Sequence, residues 1–169
     1  MEPNIIVESG VDAPFTTDPR IPPRDQVVVR NLIDRWAREC PDKVFIKFDD
    51  NGEEWTYRQL RPMIVQTALG LQQLGVRQGD HALVWMPNSR EHIRIFLGLN
   101  YLGAVYVPIN TAYKGALLAH VIENSDARLG IIHRDLVDRL KEVPTAALET
   151  ILVVGDYAGT LPLRTVRYA

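Results

Sequence analysis

The chain has 169 residues, 46% of them hydrophobic and 24% charged, with a formal net charge of −2, a size and balance that exclude a disordered segment or a disulfide-stapled miniprotein. Its near-neutral charge and dispersed arginines exclude the basic stripe that neutralises a nucleic-acid backbone. No apolar run approaches the ~20 residues needed to cross a bilayer, and Met1-Glu2-Pro3-Asn4 lacks the positive start of a secretory signal, so no membrane span and a cytoplasmic location are expected.

Residues 1–25 carry Pro3, Pro14, Pro19, Pro22 and Pro23, which forbid a continuous helix and predict an extended arm. Over residues 26–40, Val28, Leu32, Ile33, Trp36 and Ala37 recur at the spacing of one helical face, and Pro41 ends the helix. Cys40 is the only cysteine. It excludes an internal disulfide, suits a reducing compartment and reads as structural, because a reactive thiol needs a helix N-terminus or a close cation. Val44-Phe45-Ile46-Lys47-Phe48, the turn Asn51-Gly52 and Glu54-Trp55-Thr56 predict a β-hairpin. Asp49 and Asp50 before that turn read as solvated turn residues, since the later strand end Trp85-Met86-Pro87-Asn88 supplies no third acid for a metal. Leu60, Ile64, Ala68, Leu71 and Leu74 line one face of a helix over 57–74, closed by Gly75.

From there the pattern alternates, with strands expected at 82–85, 105–107, 128–132 and 151–154 and helices at 89–102, 115–124 and 136–141. Repeated βα units of this length predict an α/β fold, a Rossmann-like parallel sheet flanked by helices. Residues 155–169 read as irregular. With nothing expected to follow it in the sheet, Ile151-Leu152-Val153-Val154 should present an unfinished apolar edge that invites association.

Chemistry in such a sheet belongs at the carboxyl ends of the strands. The loops there hold Met86-Pro87-Asn88-Ser89, Pro108-Ile109-Asn110-Thr111, His133-Arg134-Asp135 and Gly155-Asp156-Tyr157. None is a G-x-G-x-x-G or Gly-Lys-Ser/Thr phosphate cradle. His81, His92, His120 and His133 never fall at metal-binding spacing, so no metal ligand is assigned. Ser89 lacks the G-x-S-x-G elbow of a nucleophile and reads with Asn88 as a helix cap. No residue is assigned a catalytic role.

The order of the turn-forming segments is more specific than any reactive group. Trp55-Thr56-Tyr57-Arg58-Gln59-Leu60, Leu74-Gly75-Val76-Arg77-Gln78-Gly79-Asp80 and Pro87-Asn88-Ser89 resemble the opening of the adenylate-forming (AMP-binding) superfamily. That superfamily includes acyl-CoA synthetases, peptide-synthetase adenylation domains and beetle luciferases. Tyr101-Leu102-Gly103-Ala104-Val105-Tyr106-Val107-Pro108-Ile109-Asn110 resembles its second core motif. The likeness covers roughly residues 25–155, and Pro108-Ile109-Asn110 is more similar to CoA ligases than to peptide-synthetase domains, where aspartate is common at the last position. Asn110-Thr111-Ala112-Tyr113-Lys114-Gly115 is similar to bacterial carnitine- or crotonobetaine-type ligases.

The resemblance implies an ATP-dependent acid–CoA ligase. ATP and a carboxylic acid would give an acyl-adenylate and pyrophosphate, and the thiol of CoA would then displace AMP, with Mg2+ assisting. It also implies that the phosphate loop, the Mg2+-binding glutamate, the ribose-binding aspartate, the hinge and the catalytic lysine lie downstream of the matched positions. The chain then divides into the arm at 1–25 and, over 26–169, the first α/β subdomain of the ligase's N-terminal domain. That subdomain is incomplete, lacking the phosphate loop and the C-terminal domain, and is expected to be inactive and without tight ATP affinity when alone. Arg134, Arg139 and Lys141 are the implied contacts to the 3′-phosphate of CoA. Arg139 should matter more than Lys141, because guanidinium grips phosphate in a bidentate way. The expected partners are the carboxylic acid and CoA of the parent and either the remainder of the same enzyme or a self-association partner. A freestanding noncatalytic binding or regulatory module, or a complementing subunit, is the alternative.

Overall fold

A computed structural model describes residues 23–168. Its elements in chain order are α1 (Arg24–Val27), α2 (Val29–Glu39), β1 (Val44–Lys47), β2 (Glu54–Thr56), α3 (Tyr57–Gln73), β3 (His81–Trp85), α4 (Arg90–Leu102), β4 (Val105–Pro108), α5 (Gly115–Asn124), β5 (Leu129–His133), α6 (Arg134–Val137), a 3-10 turn at Asp138–Glu142, β6 (Thr150–Val154) and β7 (Arg164–Arg167).

Strands β1 and β2 form the expected antiparallel hairpin. The other five strands form one parallel sheet in the order β4-β3-β5-β6-β7. Side chains alternate across a strand, so each inner strand feeds two cores. Ala82, Val84, Leu129, Ile131, Leu152 and Val154 join the core beneath α3 and α4. Leu83, Trp85, Ile132, Ile151 and Val153 join the core with residues of α5 and α6. Burial on both faces is why these strands read as unbroken apolar runs rather than as alternating ones.

Helix α3 lies against the first core through the face read from its sequence, with Leu60 and Ile64 fully buried and Leu71 nearly so. These three side chains contribute roughly 5–9 kcal/mol, an upper bound because the unfolded chain already buries part of its surface. Helix α4 packs closely on α3 at Gly98, where an added Cβ would stand 2.9 Å from Thr67 Cγ2.

The structure corrects several sequence expectations. The helix expected over 26–40 is α2 alone, separated from α1 at Val28, whose backbone is extended (φ −68, ψ 125); three consecutive valines, stiff at χ1, favour a break there. The arm expected at 1–25 lies outside the described residues except at its end, where Arg24 and Asp25 are helical. The helix expected over 136–141 starts earlier and tightens into a 3-10 turn.

The larger correction concerns the sheet edge. Residues 155–169 are not irregular throughout, because β7 pairs in parallel with β6 and Tyr168 N donates to Val153 O at 2.8 Å. Ile151, Leu152, Val153 and Val154 are therefore no edge at all, being 0–5% exposed. The sequence hides β7 because its β-branched pair Thr165-Val166 is flanked by arginines and preceded by a glycine- and proline-containing run.

Candidate functional site

The sheet order places a topological switch at β3, whose neighbours β4 and β5 are reached in opposite directions. In open parallel sheets the crevice beyond such a point is where ligands sit. Here it is packed with side chains. Trp85, the last residue of β3, is fully buried, and its indole Nε1 donates to the carbonyl of Asn110 at 3.1 Å. Asn110 in turn accepts from Ala112 N through Oδ1 (2.9 Å) and from Tyr113 N through its carbonyl (3.1 Å). The motif from Asn110 to Gly115 thus folds as a turn whose polar groups serve the backbone. Arg139, on the segment after β5, crosses β3 to donate to the carbonyl of Thr111, and its guanidinium lies 5.8 Å from the centre of the Trp85 ring.

The three basic residues expected at a phosphate all follow β5, but no two of them share a partner among the described residues. Arg139 is half-buried and held by Thr111 and Trp85. Lys141 Nζ pairs with Asp138 Oδ1 at 2.7 Å, and Tyr157 donates to the same carboxylate at 2.8 Å. These hydrogen bonds, Lys141 first and then Tyr157, hold the Asp138 carboxyl below its usual range, and Asp138 raises Lys141 in return. Arg134 keeps a half-exposed side chain near Asp135 at 3.4 Å. It crosses the end of β6 at Gly155, which has φ +94 and where an added Cβ would stand 2.9 Å from Arg134 Cδ. Only glycine accepts both that backbone and that approach.

A second group of polar side chains surrounds a cleft of about 660 Å³ between the hairpin, the start of α4 and β4. Ser89 caps α4, its Oγ accepting from His92 N at 3.2 Å as its sequence predicts. Arg90 reaches back to the hairpin tip, donating to Glu53 (2.7 Å), Asp50 (2.9 and 3.1 Å) and Asn51 (3.0 Å), with its guanidinium 4.2 Å from the Phe48 ring centre. Asp50 is an exposed turn residue, as its sequence predicts, and serves in addition as an ion-pair partner of Arg90. Its carboxyl is held down chiefly by Arg90, whereas Glu53 is lowered first by the Trp55 indole and then by Arg90. The sequence offers no local sign of this clamp, because its halves are about 40 positions apart.

On the floor of the cleft, His92 has both ring nitrogens engaged. Nδ1 lies 3.2 Å from the Pro87 carbonyl and Nε2 lies 2.5 Å from the Tyr106 hydroxyl. A carbonyl only accepts, so Nδ1 carries the proton; burial pushes the ring pKa down, which keeps Nε2 free to accept from Tyr106. Burial likewise raises the Tyr106 phenol. This pair is a fixed hydrogen bond with no free base to offer a substrate.

Among the described residues no glycine-rich loop follows a parallel strand, and Gly155, directly after β6, is closed off by Arg134. Among the described residues no group of three or more His, Cys, Asp or Glu is placed to hold a metal ion. No helix among the described residues is long and apolar enough to cross a membrane.

Residues 33–164 match the model of the AMP-binding enzyme family. The chain belongs to that family. It is 32% identical over 105 residues to 4-coumarate–CoA ligase 1 of Petroselinum crispum, a match covering 62% of this chain and 19% of the relative. Acyl-coenzyme A synthetase ACSM1, mitochondrial, of Mus musculus is 27% identical over 161 residues, covering 89% of this chain and 28% of that protein. The fold matches the crystal structure of the anthranilate CoA ligase AuaEII in complex with anthranoyl-AMP, with a TM-score of 0.66 and 26% identity over 82% of this chain and 26% of that one. The chain therefore spans 19–28% of the length of these ligases. The α/β fold and the superfamily expected from the sequence are both borne out.

Proposed function

We propose that this chain is the N-terminal segment of an ATP-dependent acid–CoA ligase, its 26–169 region being the first subdomain of the adenylating domain. The observation that carries this reading is the family match over 33–164, shared with CoA ligases of which the chain spans only a small part. The parent would join a carboxylic acid to CoA through an acyl-adenylate, with ATP, Mg2+ and CoA bound mainly by segments beyond this one. Alone, the chain is proposed to be inactive, because among its described residues no glycine-rich loop follows a parallel strand. Arg134 is the foremost proposed contact for the CoA phosphate, since its ion pair with Asp135 at 3.4 Å is looser than that of Lys141 with Asp138 at 2.7 Å and it is not tied to the backbone as Arg139 is to Thr111. The carnitine-type subdivision is proposed on the Asn110–Gly115 sequence alone.

The test is ATP–pyrophosphate exchange by the parent chain across a panel of carboxylic acids that includes carnitine and crotonobetaine. Exchange with one or more acids, followed by CoA thioester formation, is expected. Failure of every acid, or micromolar ATP affinity of residues 1–169 alone by calorimetry, would overturn the proposal. A second reading, the freestanding noncatalytic module, draws support from one observation: β7 covers Ile151, Leu152, Val153 and Val154 within this chain.

A further inference from the structure

Asn51 at the hairpin tip is the only asparagine of the chain followed by a glycine. Both residues are exposed, and no heavy atom stands within 4 Å of where a Cβ on Gly52 would lie, so nothing crowds its amide nitrogen from that side. Asn51 Oδ1 accepts from Glu53 N at 2.9 Å and from Arg90 Nη2 at 3.0 Å. Two donors on one atom identify it as the oxygen of the side-chain amide, and Nδ2 enters no hydrogen bond among the described residues. Asn110, by contrast, has its Oδ1 on a backbone amide and no guanidinium beside it among the described residues.

An amide carbon becomes more electrophilic as charge is drawn onto its oxygen, and donors fixed at that oxygen favour the tetrahedral species in which it turns anionic. We propose that Asn51 is a site of covalent self-modification, deamidation through a cyclic imide with Gly52, and that Arg90 promotes it. Gly52 N gives its proton to hydroxide and attacks Asn51 Cγ; the C–N bond forms and the carbonyl electron pair moves onto Oδ1 beside Arg90. That oxyanion collapses, the Cγ–Nδ2 bond breaks, and the nitrogen leaves as ammonia with a proton from water, which restores the hydroxide. Water then opens the imide at either carbonyl, to aspartate or to isoaspartate, so one water is gained and one ammonia lost. The opposing contact is the hydrogen bond from Gly52 N to Phe48 O at 2.9 Å, which has to open before attack; at an exposed loop tip such bonds open locally at small cost. Either product sets a further carboxylate at Arg90, and isoaspartate also lengthens the loop backbone by one methylene, which loosens the clamp on α4. The proposal concerns this chain's own residues and does not rest on the ligase reading.

The experiment incubates the 169-residue chain at neutral pH, below its melting transition, and follows its proteolytic peptides by mass spectrometry, with isoaspartyl methyltransferase labelling to mark isoaspartate. Conversion at Asn51 to both products is expected, faster than at any other asparagine and abolished in Asn51→Gln. Arg90→Met should slow it about tenfold or more, the scale of one donor lost from an oxyanion, and Arg90→Lys, which keeps a charged donor, should lose only part of the rate. If Arg90→Met speeds conversion at every asparagine, that variant has unfolded and Arg90→Lys decides. Absence of conversion at Asn51, equal conversion at the other asparagines, or an Asn51 rate unchanged or higher in Arg90→Lys would overturn the proposal, as would an Arg90→Met chain that converts faster at Asn51 alone.

Discussion

Arg139 donates to the carbonyl of Thr111 at 2.6 Å while lying 5.8 Å from the centre of the Trp85 ring, and so joins the loop after β4 to the segment after β5 across the end of β3. A half-buried charged hydrogen bond of this kind contributes about 2 kcal/mol. Arg139→Ala should lower the urea midpoint of the isolated chain by that order, and Arg139→Lys should recover only part, since a point charge cannot both stack and donate in the same plane. Arg134→Ala, by contrast, removes an exposed side chain and should leave stability within about 0.5 kcal/mol. In the proposed parent ligase it should raise the KM for CoA and not that for ATP. Equal effects of Arg134→Ala on both KM values would remove its assignment to the CoA phosphate.

The clamp from Arg90 to Asp50 and Glu53 makes stability depend on acid. Both carboxyls sit below their ordinary values of 3.8 and 4.5 in the folded chain. A depressed carboxyl contributes stability that is present above its unfolded pKa and is lost as pH falls through the folded one. Wild-type chain should therefore lose stability progressively below about pH 4.5, and Arg90→Met should flatten that acid limb. Circular dichroism melts between pH 2 and 6 measure the difference, and parallel acid limbs for the two proteins would refute it.

The α3–α4 contact can be tested through one carbon atom. Gly98→Ala would place Cβ 2.9 Å from Thr67 Cγ2, with Ala68 N only 3.4 Å away. Overpacking at such a site costs about 1–3 kcal/mol. Thr67→Ser removes Cγ2 and keeps the hydroxyl that donates to Met63 O, so the double variant should regain part of the loss. Strict additivity in a double-mutant cycle would show that the two residues do not press on one another.

His92 gives a second and separable pH dependence. Burial lowers its pKa below 6.5 in the folded state, so over the interval between the two values the unfolded chain binds more protons. Stability from this group is full above about pH 6.5 and falls as pH drops through the depressed folded value. His92→Gln, which cannot titrate, should abolish that component, and a wild-type-minus-variant melting difference that stays constant from pH 5 to 8 would contradict it. Tyr106→Phe should leave it in place, because burial and not the phenol lowers the ring.

These residues show what the sequence makes legible and what it does not. Periodicity was enough to place α3, α4, α5 and the inner strands, because each is apolar at its own spacing, and the Ser89 cap follows from local chemistry. The Arg90 clamp, the His92–Tyr106 bond and the Arg139 bridge could not be read there, since each joins positions 14 to about 40 residues apart. Strand β7 is hidden for the opposite reason: its local composition is polar, and only pairing with β6 makes it a strand.

The polar composition of β7 also bears on association. The sequence expectation was an exposed apolar edge at residues 151–154 and a self-associating chain. The structure puts β7 outside β6, with Arg164, Thr165 and Arg167 exposed and Val166 turned inward. Arginines on an outer strand oppose edge-to-edge pairing, because a second copy would bring like charges together along unpaired backbone. The described chain should therefore sediment as a monomer at high micromolar concentration. Arg164→Val with Arg167→Val should promote concentration-dependent association while leaving the β6 side chains buried. A wild-type dimer whose affinity does not change in the double variant would mean that contacts elsewhere, such as the exposed Phe96 and Val105 beside β4, drive association.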